Sequence, residues 1–405
     1  MEKLIPRIPK TAVDRRLILN AVCQKGAISR ITLRPVTGLR LASITYAVRQ
    51  LLHENLLCEG KKVNPKRGGA GRKQVYLELK TDGRYALGME LKRGLVCFLL
   101  LNLVGRVVRE KKVKIDPEGN SLAILQKITR EVDRILEEAR IPLKKVVGLG
   151  FVDPGVIDIK RGVSLFSSVF PGWKDIPTRQ FLEKRFSFPI HLIGTSQAKA
   201  VAESLFGAGK GYTDFIFIEY GEGIACGIVS EGRVVRGSLE TAGELGHCHF
   251  PGNDTPCHCG GVGCLEAICA LPAIVRRTKI LLASGTESTL RTKVGNELDR
   301  LTGVMVLKGF QEGDRLCQRV LEEILEYLGA SIANTVNLFN PQLVIFDRTL
   351  SYAGQDFLER LKSLIRRQAL LEKYLKFAVS PLGEEAGPLG GASFALQHFF
   401  ANYPC

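Results

Sequence analysis

Two distant segments carry the same pattern, and this repetition limits the folds open to the chain. "YALGMELKRGLVCFLLLNLVGRVVREKKVKI", residues 85–115, reads as apolar strand-like runs broken by glycine-containing turns. "DFIFIEYGEGIACGIVSEGRVVRG", residues 214–237, repeats strand, glycine-rich turn, strand and turn. Each block is an antiparallel meander that opens an α/β unit. Between them a helix is expected over Ser121–Arg140, then a strand over "KKVVGLGFV" and the turn "DPG". The 405 residues exceed one ordinary core, so two or three domains are expected.

Charge sets the first eighty residues apart. They contain 17 Lys+Arg and 5 Asp+Glu, a net +12 out of the chain's +16, which leaves about +4 for the other 325 residues. A basic module on a nearly neutral body suits a polyanionic partner. "AVDRRLILNAVCQKG" places Val13, Leu17, Ile18, Ala21 and Val22 on one helical stripe that stops at Gly26. Ser29 is the expected N-cap of a second helix reaching about Val36, and Gly38 serves the turn "TGLR". In "LASITYAVRQLLHEN" the residues Ile44, Val48, Leu51 and Leu52 point inward, leaving Arg40, Ser43, Thr45, Tyr46 and Arg49 on the other face. "LLCEGKKV" and "QVYLEL" read as strands around the basic hairpin tip "NPKRGGAGRK".

Together these elements form a winged helix-turn-helix suited to double-stranded operator DNA. The third helix offers Arg, Ser, Thr and Tyr to base edges and phosphates, and Lys66, Arg67, Arg72 and Lys73 on the wing reach the backbone or minor groove. No aromatic stacking platform supports an RNA reading.

The eleven cysteines, odd in number and scattered, fit reduced thiols better than a disulfide framework. Three of them fall in "PCHCGGVGCLE", residues 256–266, as C-x-C-x4-C. Zinc favours four N/S ligands, and Cys257, Cys259 and Cys264 supply three; His247, His249, His258, Cys248 and Cys269 are candidates for the fourth. Gly260, Gly261 and Gly263 let the loop curl. A closed four-ligand site leaves no position for water, so such a zinc is structural. No apolar run approaches a membrane span, and "MEKLIPRIPK" lacks a secretory signal; a cytoplasmic protein with no membrane partner is expected.

The meanders, the cysteines and the basic module together resemble the ROK family (repressors, open reading frames, kinases), in its repressor branch. The marks are "AGELGH" at 242–247, "CHCGGVGCLE" at 257–266, "FPGW" at 170–173, "NLFNPQLVIF" at 337–346 and "GPLGGASFAL" near the end. The resemblance implies an α/β fold: an N-terminal winged helix-turn-helix followed by a two-lobed actin-like ATPase body of the sugar kinase, hsp70 and actin, ribonuclease H-like kind. The implied domains are residues 1–80, a first lobe over 81–200 completed by about 386–405, and a second lobe over 201–385 with the zinc loop. It also picks His247 as the fourth zinc ligand, and places Glu244, His247 and Glu266 where relatives contact sugar hydroxyls.

The same resemblance argues against catalysis. The family's kinases use an Asn-Asp pair whose Asp is general base on the sugar; here those positions are Gly194 and Thr195. A threonine hydroxyl is no base near neutral pH without an activating partner. The first phosphate loop reads "MELKRG", with Glu90, Lys92 and Arg93 at key positions, and the second reads "GEGIACG", with Glu222 beside the phosphates. Asp347, Arg348 and Thr349 stand where kinases have three glycines for adenosine. No ATP or Mg2+ is expected. The implied protein is a DNA-binding repressor of sugar-metabolism genes, homodimeric or homotetrameric. Its degenerate body senses a sugar, amino sugar or sugar phosphate, with Gly194 and Thr195 counted in the effector site. The rival readings are a ROK sugar kinase phosphorylating a hexose and a constitutive DNA-binding regulator that has lost its ligand.

Overall fold

The N-terminal segment of the computed structural model, which describes residues 10–63, 74–167, 170, 172–239, 241–295, 297–370 and 372–403, is three helices and a small antiparallel sheet. Helix α1 (Lys10–Lys25) precedes a two-residue strand β1 (Ile28–Ser29), α2 (Arg30–Thr37) and α3 (Leu41–His53). Ser29 caps α2, its Oγ accepting from the Thr32 N–H at 3.2 Å. Gly38 ends that helix at φ 71°, in the left-handed region. Strands β2 (Leu57–Val63) and β3 (Gln74–Leu79) pair with each other, and β1 joins β3 to give the order β1-β3-β2. Ile44, Val48 and Leu51 of α3 are buried as expected, while Leu52 is only half-buried. The stripe expected on α1 needs correction. Leu17 is 40% exposed, and Leu19 is buried beside Ile18, Ala21 and Val22 where α1 packs on α3.

The first meander follows as β4 (Tyr85–Lys92), β5 (Leu95–Asn102) and β6 (Val107–Lys114). β4 and β5 are buried almost throughout, as strands covered on both faces must be. β6 is the edge, largely exposed and carrying Arg109, Lys111, Lys112 and Lys114, charges that discourage pairing with another sheet. Helix α4 (Ser121–Glu138), capped by Asn120, buries Ile124, Leu125, Ile128, Val132, Ile135 and Leu136 at helical spacing. Then come β7 (Val146–Asp153), a small antiparallel sheet of β8 (Val156–Asp158), β9 (Val163–Phe166) and β10 (Lys174–Ile176), α5 (Thr178–Glu183) and β11 (Ile190–Gly194). The first large sheet has the order β11-β7-β4-β5-β6.

Helix α6 (Thr195–Phe206) leads into the second meander, β12 (Phe215–Tyr220), β13 (Ile224–Ser230) and β14 (Arg233–Val234). Helices α7 (Leu265–Cys269), α8 (Leu271–Ala283), α9 (Leu290–Val294), α10 (Gly303–Gln311) and α11 (Arg315–Phe339) come next. β15 (Leu343–Phe346), α12 (Gly354–Gln368), β16 (Lys376–Val379) and α13 (Ala386–Asn402) complete the chain. The second large sheet has the order β14-β13-β12-β15-β16, with β12, β15 and β16 parallel. Its main core gathers Ile218, Tyr220 and Phe346 from the strands with Val320, Ile324 and Leu328 of α11 and Phe357 and Leu361 of α12. The body is thus the twice-repeated α/β architecture implied by the paired meanders.

The chain divides into two compact units: residues up to Phe151 with Thr178–Leu192 and everything from Gly391, and Val152–Pro177 with Ile193–Gly390. Helix α6 lies within the second of these units. The reason is close packing: a Cβ on Gly227 of β13 would lie 2.3 Å from the Ser196 carbonyl, so glycine lets the helix backbone rest on the strand.

Candidate metal centre and effector site

The cysteine loop is held in shape by its own backbone. Cys257 N–H donates to Gly261 O at 2.8 Å, Gly260 N–H to Cys257 O at 3.0 Å, and Gly263 N–H to Thr255 O at 2.8 Å. Gly263 adopts φ +65°, and a Cβ there would meet the Asn253 carbonyl at 2.3 Å, so this turn requires glycine. The fold-back brings the side chains of His247, Cys257, Cys259 and Cys264 together, with one ligand atom of each within 4.8 Å of all the others. Cys259 and Cys264 sulfurs are 3.8 Å apart, and His247 Nδ1 is 3.8 Å from Cys257 Sγ.

The other candidates for fourth ligand are used elsewhere. His249 Nδ1 is 2.8 Å from the Val262 carbonyl, and the buried Cys269 thiol faces the Ile324 carbonyl. Cys248 is exposed and outside the cluster. His258 Nδ1 lies 3.9 Å from Cys257 Sγ but does not close a set with all three cysteines. Burial pushes the Cys264 thiol up to about 12 and raises Cys257, whereas the bond from the Gly261 N–H lowers Cys259. A soft divalent cation stabilises all three as thiolates, and three sulfurs with one imidazole form a zinc donor set.

His247 lies on a 3-10 turn, Leu245–His247, and uses its two nitrogens differently. Nδ1 faces the sulfurs, while Nε2 is 4.0 Å from Glu244 Oε2, the carboxylate side expected of a metal-bound histidine. Partial burial raises the Glu244 carboxyl; His247 opposes the shift, and the Glu266 and Glu219 carboxylates add to it. Glu266, on α7, accepts from the Ile224 N–H at 2.9 Å through Oε2. Its Oε1 lies 3.2 Å from Nδ1 of His258. Glu244, His247, His258 and Glu266 thus form one polar group.

Gly194 and Thr195 begin α6. Thr195 Oγ1 donates to the main-chain oxygen of Asp153 at 3.2 Å. Both segments touch β13: Gly227 backs onto Ser196, next to Thr195, and Cys226 N–H donates to Gly243 O, next to Glu244, at 2.7 Å. Asp153 itself escaped the sequence reading, which treated "DPG" only as a turn. Its carboxylate is wholly buried, accepting from Ser164 Oγ and from the Gly155 N–H at 2.9 Å. Burial raises it to about 6, against those two bonds, which lower it.

The phosphate-loop positions carry internal charge pairs. Glu90 is buried, with Lys92 at 3.0 Å. Lys199 of α6 reaches Glu219 at 2.9 Å and Asp347 at 3.3 Å, and Asp347 also caps the 3-10 turn Arg348–Ala353 through the Thr349 N–H. On the N-terminal module, Arg40, Thr45, Tyr46 and Arg49 are exposed on or beside α3 and Ser43 is half-buried. The Thr45 hydroxyl turns back to Leu41 O at 2.8 Å. The wing positions Lys66, Arg67, Arg72 and Lys73 lie outside the described residues.

The pattern of the ROK family matches residues 93–398. The chain belongs to the ROK family. The family resemblance read from the cysteine loop, "AGELGH" and the meanders is therefore sound. A xylose repressor from Caldicellulosiruptor bescii is 28% identical over 387 residues, covering 95% of this chain and 96% of the relative. The crystal structure of a ROK family transcriptional regulator, a homologue of the E. coli Mlc protein, superposes with TM-score 0.83 at 27% identity and covers 96% of both chains. A ROK hexokinase from Thermus thermophilus matches with TM-score 0.66 at 26% identity, covering 78% of this chain and all of its own. This ROK chain and the regulator thus share a length that the hexokinase lacks.

Proposed function

We propose that the protein is a DNA-binding transcriptional regulator, a repressor of sugar-metabolism genes, whose ROK body senses a carbohydrate without phosphorylating it. The observation that carries the reading is the N-terminal module, where Arg40 just before α3 and Thr45, Tyr46 and Arg49 on it are exposed while the helix's apolar stripe is buried. Arginine, hydroxyl and phenol groups on one exposed helix suit base edges and phosphates in the major groove. Regulator-type coverage of 96%, against 78% for the hexokinase, supports the same conclusion. The protein acts as a symmetric homodimer, or a tetramer built from dimers, that places α3 of each copy on one half-site.

Against kinase activity stand Thr195, whose hydroxyl is spent on the Asp153 carbonyl, and the ion pairs of Glu90 and Asp347. Glu244, His247 and Glu266, with Gly194 and Thr195, form the effector site. Carboxylates and imidazole suit sugar hydroxyls. Effector binding regulates DNA affinity only through a difference in its affinity for two states of the protein. Cys257, Cys259, Cys264 and His247 would hold a zinc ion, which would fix the loop by coordination, with Glu244 Oε2 4.0 Å from the other nitrogen of the His247 ring.

The deciding experiment is selection of DNA ligands from a random pool by the purified full chain, followed by gel-shift titration with and without monosaccharides. A discrete operator released by a sugar supports the whole reading. An operator that no sugar affects supports the constitutive regulator. Steady ATP consumption on a hexose supports the kinase and overturns the role given to Thr195.

A further inference from the structure

The first two turns of α3 expose groups that do not hydrogen-bond. Leu41 opens the helix and is 49% exposed, although Ile44, Val48 and Leu51 of the same helix are wholly buried. Ala42 beside it is exposed as well. Thr45, one turn on, is exposed and donates its hydroxyl proton to the Leu41 carbonyl at 2.8 Å. With that proton spent inside the helix, Thr45 has a methyl group and an acceptor oxygen left to offer. Helical spacing places Leu41, Ala42 and Thr45 on one patch.

Cations accompany this patch. Arg40 precedes the helix without capping it, Arg34 lies on α2, and Arg49 follows Thr45 by one turn. All three are exposed, and among the described residues none forms an ion pair. The pairs that the module does form, Arg15 with Glu54 and Arg30 with Glu59, involve other arginines. With a net +12 in the first eighty residues, a polyanion is the occupant that fits. In a helix-turn-helix the first residues of the recognition helix meet base edges. Leu41 and Ala42 have no donor or acceptor in their side chains to match those edges. The C5 methyl of thymine is the apolar group that the major groove presents to them.

We infer that Leu41, Ala42 and Thr45 are specificity-determining residues that read thymine methyl groups in the major groove of the operator, with Arg34 and Arg40 on the flanking phosphates. The inference rests on the DNA-binding reading given above and names the base groups that this end of α3 selects. It gives a role to Leu41 and Ala42, which hydrogen-bonded readout leaves idle.

The test uses the duplex selected from the random pool by the full chain, with each thymine replaced in turn by deoxyuridine. This exchange removes the methyl and leaves every hydrogen-bonding group of the base in place. At one or two thymines in each half-site, binding is expected to fall roughly fourfold. Leu41→Ala and Thr45→Ser are expected to bind the unmodified duplex more weakly and to lose the difference between thymine and uracil at the position each touches. Thr45→Val, which keeps a methyl and has no hydroxyl, is expected to bind more tightly than Thr45→Ser. Circular dichroism and melting curves that match wild type exclude unfolding as the cause. Equal affinity of wild type for every deoxyuridine duplex overturns the inference and leaves the DNA-binding reading standing. Tighter binding by Thr45→Ser than by Thr45→Val does the same, since it assigns the hydroxyl to the base. If selection yields no discrete duplex, the DNA-binding reading fails, and this inference fails with it.

Discussion

The Arg15 guanidinium lies over the ring of Tyr403, 5.6 Å from its centroid, so the first helix is fastened to the end of the last one. Arg15 also donates to Glu54 at 2.6 Å, and the neighbouring Arg16 donates to the Ala401 carbonyl at 3.2 Å. Tyr403 is 7% exposed. Removing its ring forfeits both packing and the cation–π contact, and Tyr403→Ala is expected to cost about 3 kcal/mol by urea unfolding. Tyr403→Phe is expected to cost under about 1 kcal/mol, because the hydroxyl bonds to no described residue. Equal losses in the two variants rule out ring packing as the cause.

Asp153 gives stability a pH dependence of unusual sign. Its folded-state value of about 6 exceeds the ordinary 3.8, so between these values the folded chain holds a proton that the unfolded chain has released. The contribution is complete below about pH 3.8 and is lost as pH rises through 6. Two pH units correspond to about 3 kcal/mol. Asp153→Asn has no such titration, so the difference in unfolding free energy between wild type and variant is expected to change across pH 4–6. A constant difference excludes this assignment.

One zinc per chain is expected by metal analysis of the purified protein, and Cys257→Ala is expected to lose it. Strong chelation should lower the melting temperature by at least about 5 °C and expose additional thiols to a colorimetric reagent. The exposed Cys259, which its backbone bond lowers, is expected to react first. Metal-free protein with an unchanged melting curve removes zinc from the structural account.

Arg49 is exposed on α3 and makes no contribution to the buried stripe. Arg49→Ala is expected to weaken operator binding with no loss of fold. If the contact is to phosphate, the slope of log affinity against log salt falls by about 1; if it is to a base, specificity relaxes at one position. Unaltered binding moves the DNA surface away from this helix.

Local chemistry made much of this structure legible. Ser29 and Gly38 announced a helix start and stop because caps involve neighbours three or four residues away. The three loop cysteines lie within eight residues, so their convergence needed only the glycine turns. Misreadings arose where partners are remote. Leu17 fits the periodicity of α1 as well as Leu19 does, and only packing on α3 chooses between them. The two-residue β1 carries no pattern of its own and exists through pairing with Leu77 and Tyr76. The contact of Thr195 with Asp153 spans 42 residues, and nothing in "DPG" marks that aspartate as buried. His258 was weighed only as a zinc ligand, since its link to Glu266 depends on how the loop folds against α7.

The docking of α1 on Ala401 and Tyr403 also constrains the order of assembly. A ribosome delivers Arg15 and Arg16 some 385 residues before the carbonyl that Arg16 grips. The N-terminal module packs its own helices and pairs its strands early, from contacts close in sequence. Its seat on α13 exists only after the second unit has been synthesised. The N-terminal module is thus made first and mounted last, so chains truncated before α13 are expected to carry a folded module without its mooring.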